Sequence, residues 1–167
     1  MSTTTTTPRE KLVGKRIRRR EDPRMITGTA RYVDDIKLPE MLYAALVRSP
    51  HAAANIRSID TSKAAAHPGV IAVYTGTDLK DVGGVVCGVN LPGLRKPHHN
   101  VIAIDRVYLV GHAVAVVVAT DRYVAADAAE LVEVDYQVLP GVADPEKALA
   151  PGAPAVHPQW PDSIACT

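Results

Sequence analysis

The sequence predicts an α+β domain assembled from strand–helix–strand units, with an extended arm at each end. Residues 113–119 (AVAVVVA) form an unbroken apolar run rich in β-branched valine. Such a run fits a strand buried on both faces, because valine packs well on a pleated surface and loses rotamer freedom in a helix. From Arg122 the period changes: Val124, Ala128, Leu131 and Val132 share one helical face, away from Arg122, Asp127 and Glu130. Val134, Tyr136 and Val138 then alternate with Glu133, Asp135 and Gln137, the pattern of a half-buried strand with one wet face.

The elements follow in order. Residues 1–13 open with low-complexity threonine ending in Pro8, too polar to pack, and are expected to be a disordered tail. Residues 14–150 are the expected domain. Five of the seven residues from Gly14 to Arg20 are basic; with neither interleaved aromatics nor a helical stripe, they read as an arm whose cations meet Glu21, Asp22, Asp34 and Asp35 or acidic groups on a partner. Leu42–Val47 reads as a strand and Ile56–Ile59 as its partner, joined by the turn Arg48-Ser49-Pro50-His51. Thr61 or Ser62 is expected to cap a short alanine helix, Lys63–Ala66, stopped by His67-Pro68-Gly69. Val70–Tyr74 returns as a strand, and Gly76-Thr77-Asp78-Leu79 opens a turn with an Asp cap. The order strand, helix, strand over 56–74 parallels that over 113–138, a weak internal repeat. Residues 81–100, rich in glycine and proline, read as a long irregular loop. Residues 101–110 hold a short apolar strand. Asp121 is placed to accept from the first free amides of the 122–132 helix, worth roughly 1 kcal/mol. After Pro140 comes one helical turn, and residues 151–167 form an extended strap without a core of its own, expected to lie against another domain or subunit.

Composition narrows the function. The 167 residues are 47% hydrophobic and 22% charged, with net charge +1, which argues against a dedicated nucleic-acid or membrane-surface role. No apolar run approaches the roughly 20 residues that span a bilayer, and no apolar leader stands at the N-terminus, so a cytoplasmic location is expected. Phenylalanine is absent, leaving Ala, Val, Ile and Leu to build the core. Cys87 and Cys166 lie far apart and form no Cys-x-x-Cys pair.

Local chemistry is sparse. His98-His99 with His51, His112 or Cys87 lacks a carboxylate at ligand spacing, and adjacent histidines diverge in extended chain. Asp34-Asp35 reads as a cap and ion-pair partner rather than an acid/base pair. Ser49 and His51 have no orienting acid, so a hydrolase triad is not indicated. His112 reads as a structural histidine, Cys87 has no neighbouring cation to lower its pKa, and Gly83-Gly84 with Gly88 misses G-x-G-x-x-G. Local signals give no complete enzyme.

Longer motifs carry a resemblance. Glu21-Asp22, Thr27-Gly28, Arg31-Tyr32-Val33-Asp34-Asp35, Leu38-Pro39 and Leu46-Val47-Arg48-Ser49-Pro50-His51-Ala52 resemble the opening of molybdenum hydroxylase large subunits, the xanthine dehydrogenase, aldehyde oxidase and aerobic carbon monoxide dehydrogenase group. The likeness continues through Ile59-Asp60-Thr61-Ser62-Lys63-Ala64, Pro68-Gly69-Val70, Thr75-Gly76-Thr77-Asp78-Leu79 and Val110-Gly111-His112-Ala113. It runs on through Asp121-Arg122-Tyr123-Val124-Ala125-Ala126-Asp127-Ala128, Val134-Asp135-Tyr136 and Leu139-Pro140. DRYVAADAAELVEVDY is most similar to the carbon monoxide dehydrogenase-like branch. The family's Ser-x-His-Ala-His-Ala turn is here Ser49-Pro50-His51-Ala52-Ala53-Ala54, with Ala53 in place of the second histidine.

This resemblance implies the α/β hammerhead fold, and it marks Asp22, Gly28, Tyr32, Asp35, Arg48, Ser49, His51, Gly111 and His112 as family-motif or interface candidates. It implies no catalytic, cofactor-binding or metal residue in this chain, since the family's molybdenum contacts and catalytic glutamate lie further along the subunit. The full complex would use molybdopterin, FAD and 2Fe-2S, with the molybdopterin-binding remainder of the large subunit and iron–sulfur and FAD subunits as partners. The chain is then expected to be the N-terminal structural or docking piece of a split or truncated large subunit, inactive alone. A stand-alone adaptor that kept the fold without the enzyme is the alternative.

Overall fold

The structure, a computed structural model, describes residues 12–85 and 87–166; apart from Leu12 and Val13, the expected tail over residues 1–13 lies outside them. The chain divides into two compact units, Met1–Pro39 and Glu40–Thr167.

In the first unit, helix α1 (Asp22–Ile26) carries Pro23 in its first turn, where a missing amide costs nothing. It buries no residue and ends where the Thr27 hydroxyl donates to the Pro23 carbonyl (2.7 Å). Arg19 meets Asp22 at 3.5 Å, so one cation of the basic arm has an acidic neighbour within the arm. Across a single 3-10 turn, Val33–Asp35, the Asp35 carboxylate accepts from the Tyr32 amide (2.9 Å).

The second unit holds β1 (Tyr43–Arg48), β2 (Ala54–Asp60), α2 (Ser62–Ala65), β3 (Val70–Thr75), β4 (Gly84–Val85), β5 (His99–Asn100), β6 (Arg106–Val107), β7 (Ala113–Ala119), α3 (Arg122–Glu130), β8 (Glu133–Val138) and α4 (Pro145–Ala148). One sheet has the order β1-β7-β3 and a second β6-β2-β8, while β4 and β5 form a ribbon. Every pairing is antiparallel. Each strand–helix–strand unit therefore crosses between sheets: β2–α2–β3 leaves the second for the first, and β7–α3–β8 makes the opposite passage.

The valine run is the middle strand of the first sheet. Ala115 and Val117 pack with Ala64, Ala128 and Val132 in one core cluster, and Val114 packs with Ala54, Ala103 and Val107 in another. Val47, Ile59 and Val134 touch both clusters and join them. Helix α3 lies across β1 and β7 through Ala125 and Ala128, whose small side chains let helix and sheet approach closely. Its N-cap is as the sequence predicts: Asp121 accepts from the Tyr123 and Val124 amides at 2.8 and 3.4 Å.

Several expectations need correction. β1 and β2 do not pair; β1 pairs with β7, and β2 with β6 and β8. The Ser49 amide donates to the His112 carbonyl (2.9 Å), so the 48–51 segment turns the chain out of the first sheet rather than closing a hairpin. Helix α2 has no cap from Thr61; instead Asp60 accepts from the Ser62 amide (2.9 Å). Asp78 caps backwards, accepting from the Thr75 amide (2.7 Å) and hydroxyl (2.8 Å). The 81–100 stretch contains the β4–β5 ribbon. The strand expected within 101–110 is only the two-residue β6. Val138 is 60% exposed and lies outside the apolar face expected for it. β7 is not buried on both faces either: Val116 and Val118 are only half-buried.

Gly76 is fixed by close approach, since a Cβ there would fall 2.2 Å from the Ala103 carbonyl oxygen. Gly76→Ala should lower unfolding free energy by about 2–3 kcal/mol, and Asp121→Ala by about 1 kcal/mol. Gly88→Ala, with open space around it, should stay within about 0.5 kcal/mol. Denaturant midpoints at constant m-value check all three; a Gly76→Ala midpoint equal to that of Gly88→Ala would contradict the packing.

Candidate functional site

The end of β1 and the start of β7 meet in a junction that gathers five of the family-motif candidates. The Arg48 guanidinium donates to the Gly111 carbonyl (2.8 Å), across 63 residues of sequence. The Gly111 amide donates to the Ser49 carbonyl (2.8 Å), and Gly111 has φ +85°, a conformation open to glycine without strain. Ser49, 2% exposed, accepts from the His51 amide through its hydroxyl (3.0 Å), and that hydroxyl reaches the His51 carbonyl at 3.2 Å. The His51 ring meets Tyr136 edge-on at 5.0 Å. Burial pushes the Tyr136 phenol up, and a hydrogen bond with Ser49 partly offsets this. The four other candidates, Asp22, Gly28, Tyr32 and Asp35, lie in the first unit: Asp22 with Arg19, Tyr32 with Asp35, and Gly28 (φ +70°) just beyond α1.

His112 leads from the junction into a run of rings. His99 on β5 stacks on it at 4.8 Å and 11°. Tyr108 lies 6.2 Å away on another side and 4.8 Å from His157, which meets Trp160 edge-on at 4.8 Å. His157 and Trp160 belong to the C-terminal strap, which lies on this same chain. Arg95 binds Asp162 (2.6 Å), the Arg95 amide donates to the Ala165 carbonyl (2.8 Å), and the Arg95 guanidinium stands 6.0 Å from the Trp160 ring. Sequence reasoning passed over Arg95, Arg106, Tyr108, His157, Trp160 and Asp162. The one available signal was the clustering of a histidine and the only tryptophan in a segment with no core.

Two imidazoles have their pKa lowered by their surroundings. Burial lowers the His112 pKa, helped by the neighbouring His99. Burial also lowers that of His157, with Arg106 and His99 adding to it. Among the described residues no group of three or more His, Cys, Asp or Glu is placed to hold a metal ion. His98 turns instead to Asn100, with Nε2 2.8 Å from its Oδ1. A 2Fe-2S cluster is held by four thiolates in its all-cysteine form, whereas the protein has two cysteines, both exposed and outside any disulfide. Among the described residues no helix is long and apolar enough to cross a membrane.

A histidine whose pKa is depressed in the docked state favours docking while neutral. The strap should therefore be held most firmly above the ordinary histidine value of about 6.5 and loosen progressively as pH falls below it. Charged or aromatic groups facing His157 are Arg106, His99, Tyr108 and Trp160. Trp160 emission, read against pH, should shift red on acidification, and His157→Gln should remove most of that shift. A pH-independent spectrum in the unmodified chain would refute the prediction.

Comparison with known proteins agrees with this geometry. Residues 27–140 match the family model described as "Aldehyde oxidase and xanthine dehydrogenase, a/b hammerhead domain". The carbon monoxide dehydrogenase large chain of Afipia carboxidovorans is 49% identical over 157 residues, which cover 93% of this chain and 19% of that protein. The nicotine 6-hydroxylase large subunit of Paenarthrobacter nicotinovorans is 38% identical over 154 residues, covering 92% of this chain and 19% of its own length. Among solved structures, quinoline 2-oxidoreductase from Pseudomonas putida 86 superposes with a TM-score of 0.83 at 38% identity, over 94% of this chain and 20% of that one. A Cu,Mo-CO dehydrogenase gives 0.74 at 48% identity, over 91% and 19%. The chain thus spans about a fifth of the length of the relatives it matches. It belongs to the aldehyde oxidase and xanthine dehydrogenase family as an α/β hammerhead domain.

Proposed function

We propose that this chain is the N-terminal structural and docking domain of a molybdenum-dependent hydroxylase large subunit of the carbon monoxide dehydrogenase-like or aldehyde/xanthine dehydrogenase-like kind, and is not catalytic alone. The observation that carries the reading is the uncovered face of β7. Val116 stands opposite Leu46 on β1 and Tyr74 on β3; Val118 stands opposite Ala44 and Ala72. Leu46 and Tyr74 are 44% and 43% exposed, and Val116 and Val118 are half-buried. A central strand with an apolar outer face asks for a second layer, because burying a Val or Leu side chain contributes about 1.5–3 kcal/mol. Relatives about five times as long have the chain to supply that layer.

In this reading residues 14–150 form the hammerhead and residues 151–167 the strap that leads from it. The molybdopterin-binding remainder of the large subunit covers the β7 face, and iron–sulfur and FAD subunits complete a cytoplasmic complex. The complex hydroxylates a small carbon centre with water as oxygen donor, and the cofactors supply its redox chemistry; this chain supplies shape and contact. The Arg48 guanidinium, the Ser49 hydroxyl and the backbone of Ser49, Gly111 and His112 are bonded within the junction, which suits a structural role.

Isolation through an N-terminal tag, with partner masses and bound molybdenum measured, tests this. The unmodified chain should bring down a larger molybdenum-containing chain with flavin and iron–sulfur subunits. Leu46→Lys should cut the co-recovered molybdenum at least about tenfold, as burying one unpaired charge costs several kcal/mol, while leaving Tm unchanged. Recovery alone and metal-free would favour an independent adaptor. Turnover of aldehydes, purines or carbon monoxide by the isolated chain would sink the proposal.

A further inference from the structure

We propose that the small polar cavity bordered by β5 and the 103–112 segment is a binding site for one carboxylate-sized oxyanion, held between His112 and Arg106. Two buried hydrogen-bonding atoms there have no partner: His112 Nε2 and Arg106 Nε. His112 is 6% exposed, and both residues line the same cavity of about 80 Å³. A water molecule occupies about 30 Å³ of liquid volume, so the cavity has room for a group the size of formate, or for the end of an acidic side chain.

The donor character of both atoms follows from the bonds around them. The Tyr108 amide donates to His112 Nδ1, at a long 3.4 Å. With Nδ1 accepting, the proton of the neutral ring sits on Nε2, which makes Nε2 a donor. Arg106 Nε is a donor in every state, and its guanidinium carries charge. An unsatisfied buried donor costs about 1–3 kcal/mol, more when charged, so a pair lining one cavity calls for an acceptor. A metal ion is the wrong occupant, since Nε2 has no free lone pair and a guanidinium borders the same space. Among the other lining groups, His98 is engaged with Asn100 and His99 stacks on His112. Asp105 also borders the cavity and is its one carboxylate. It opposes an incoming anion and sets the affinity low.

The pH dependence has a definite sign. An oxyanion at Nε2 stabilises the imidazolium, opposing burial and the His99 ring, which lower the His112 pKa. Bound anion should therefore raise the His112 midpoint, and affinity should increase as pH falls through the histidine range. His98, His99, Asp105, Arg106 and Tyr108 are the titratable and charged groups that face His112 across this space.

The test is 15N NMR of the His112 imidazole in the full chain, titrated with sodium formate against a sodium chloride control of equal ionic strength. The expected result is a protonated Nε2, an unprotonated Nδ1, and a saturable shift with Kd of about 1–10 mM. Arg106→Lys should weaken binding at least about tenfold, because the retained charge lacks the Nε donor, and Asp105→Asn should tighten it. Preserved Tyr108 and Trp160 signals in each variant would show that the fold is intact. A free tripeptide Gly-Glu-Gly, run in parallel, separates the two sources: competition with formate marks an acidic side chain as an acceptable occupant, and formate binding alone marks a free small oxyanion. A proton on Nδ1, a shift equal to that with chloride, or binding unchanged in Arg106→Lys would overturn the proposal.

Discussion

Everything in the larger unit depends on β7 being flanked on both edges and packed from one side. Its backbone binds β1 along one edge and β3 along the other, so both neighbours take their register from it. Its side chains then divide the interior. Ala115 and Val117 turn to α3 and the α2 residue Ala64, and Val114 turns to the core of the second sheet. With no phenylalanine to fill gaps, the interior closes only because alanine faces alanine. Ala115 and Ala119 on the strand, and Ala125 and Ala128 on α3, are all fully or almost fully buried. Close approach of backbones replaces bulk. On the opposite face Val116 and Val118 remain half-open.

How far this was legible follows from which forces are local. The strand at the valine run, the Asp121 cap, the period change at Arg122 and the strand after Glu133 are properties of neighbouring residues, and the structure reproduces each as an element, though Val116, Val118 and Val138 are less buried than the pattern predicts. Strand pairing is not local. Alternation says that Leu46 and Ile56 lie on strands, yet nothing within the 42–59 stretch says that Tyr43 pairs with Ala119 while Ile56 pairs with Tyr136. The Arg48-Ser49-Pro50-His51 turn suggested a hairpin by chemistry alone. What redirects it is a bond from Ser49 to His112, a residue in another part of the chain. Likewise Thr61 and Ser62 had the right chemistry for a cap, but Asp60 reached the Ser62 amide from the preceding strand end.

Site residues divide in the same way. Arg48, Ser49, His51, Gly111 and His112 were singled out by family resemblance in two separate motifs, and in the structure those motifs close on each other. Arg106, Tyr108, His157 and Trp160 were missed because their importance comes from stacking between segments distant in sequence, which no spacing rule registers. From its sequence position, after Gly111 and before the buried strand, His112 reads as a structural, hydrogen-bonded histidine. Half of that description holds: Nδ1 accepts from Tyr108, while Nε2 is left unpaired in a polar cavity. The unpaired half is visible only once the second sheet and the β5 ribbon have been brought beside it.

The bonds at the junction are spent on the fold. A nucleophilic serine needs a hydroxyl free to meet a base, and a general base needs a lone pair facing substrate. The Ser49 hydroxyl is turned onto the backbone of His51, and the His51 ring lies against Tyr136. The Arg48 guanidinium ends on the Gly111 carbonyl, at the place where β1 and β7 begin to diverge. Arg48 and Ser49 thus satisfy backbone atoms exposed by the change of sheet, the constraint that irregular buried chain always imposes. A motif shared with large redox enzymes therefore has a reason to persist that needs no reaction: it is how the chain leaves one sheet and enters the other. By that reasoning the motif marks the fold, in a chain that spans about a fifth of the length of its relatives.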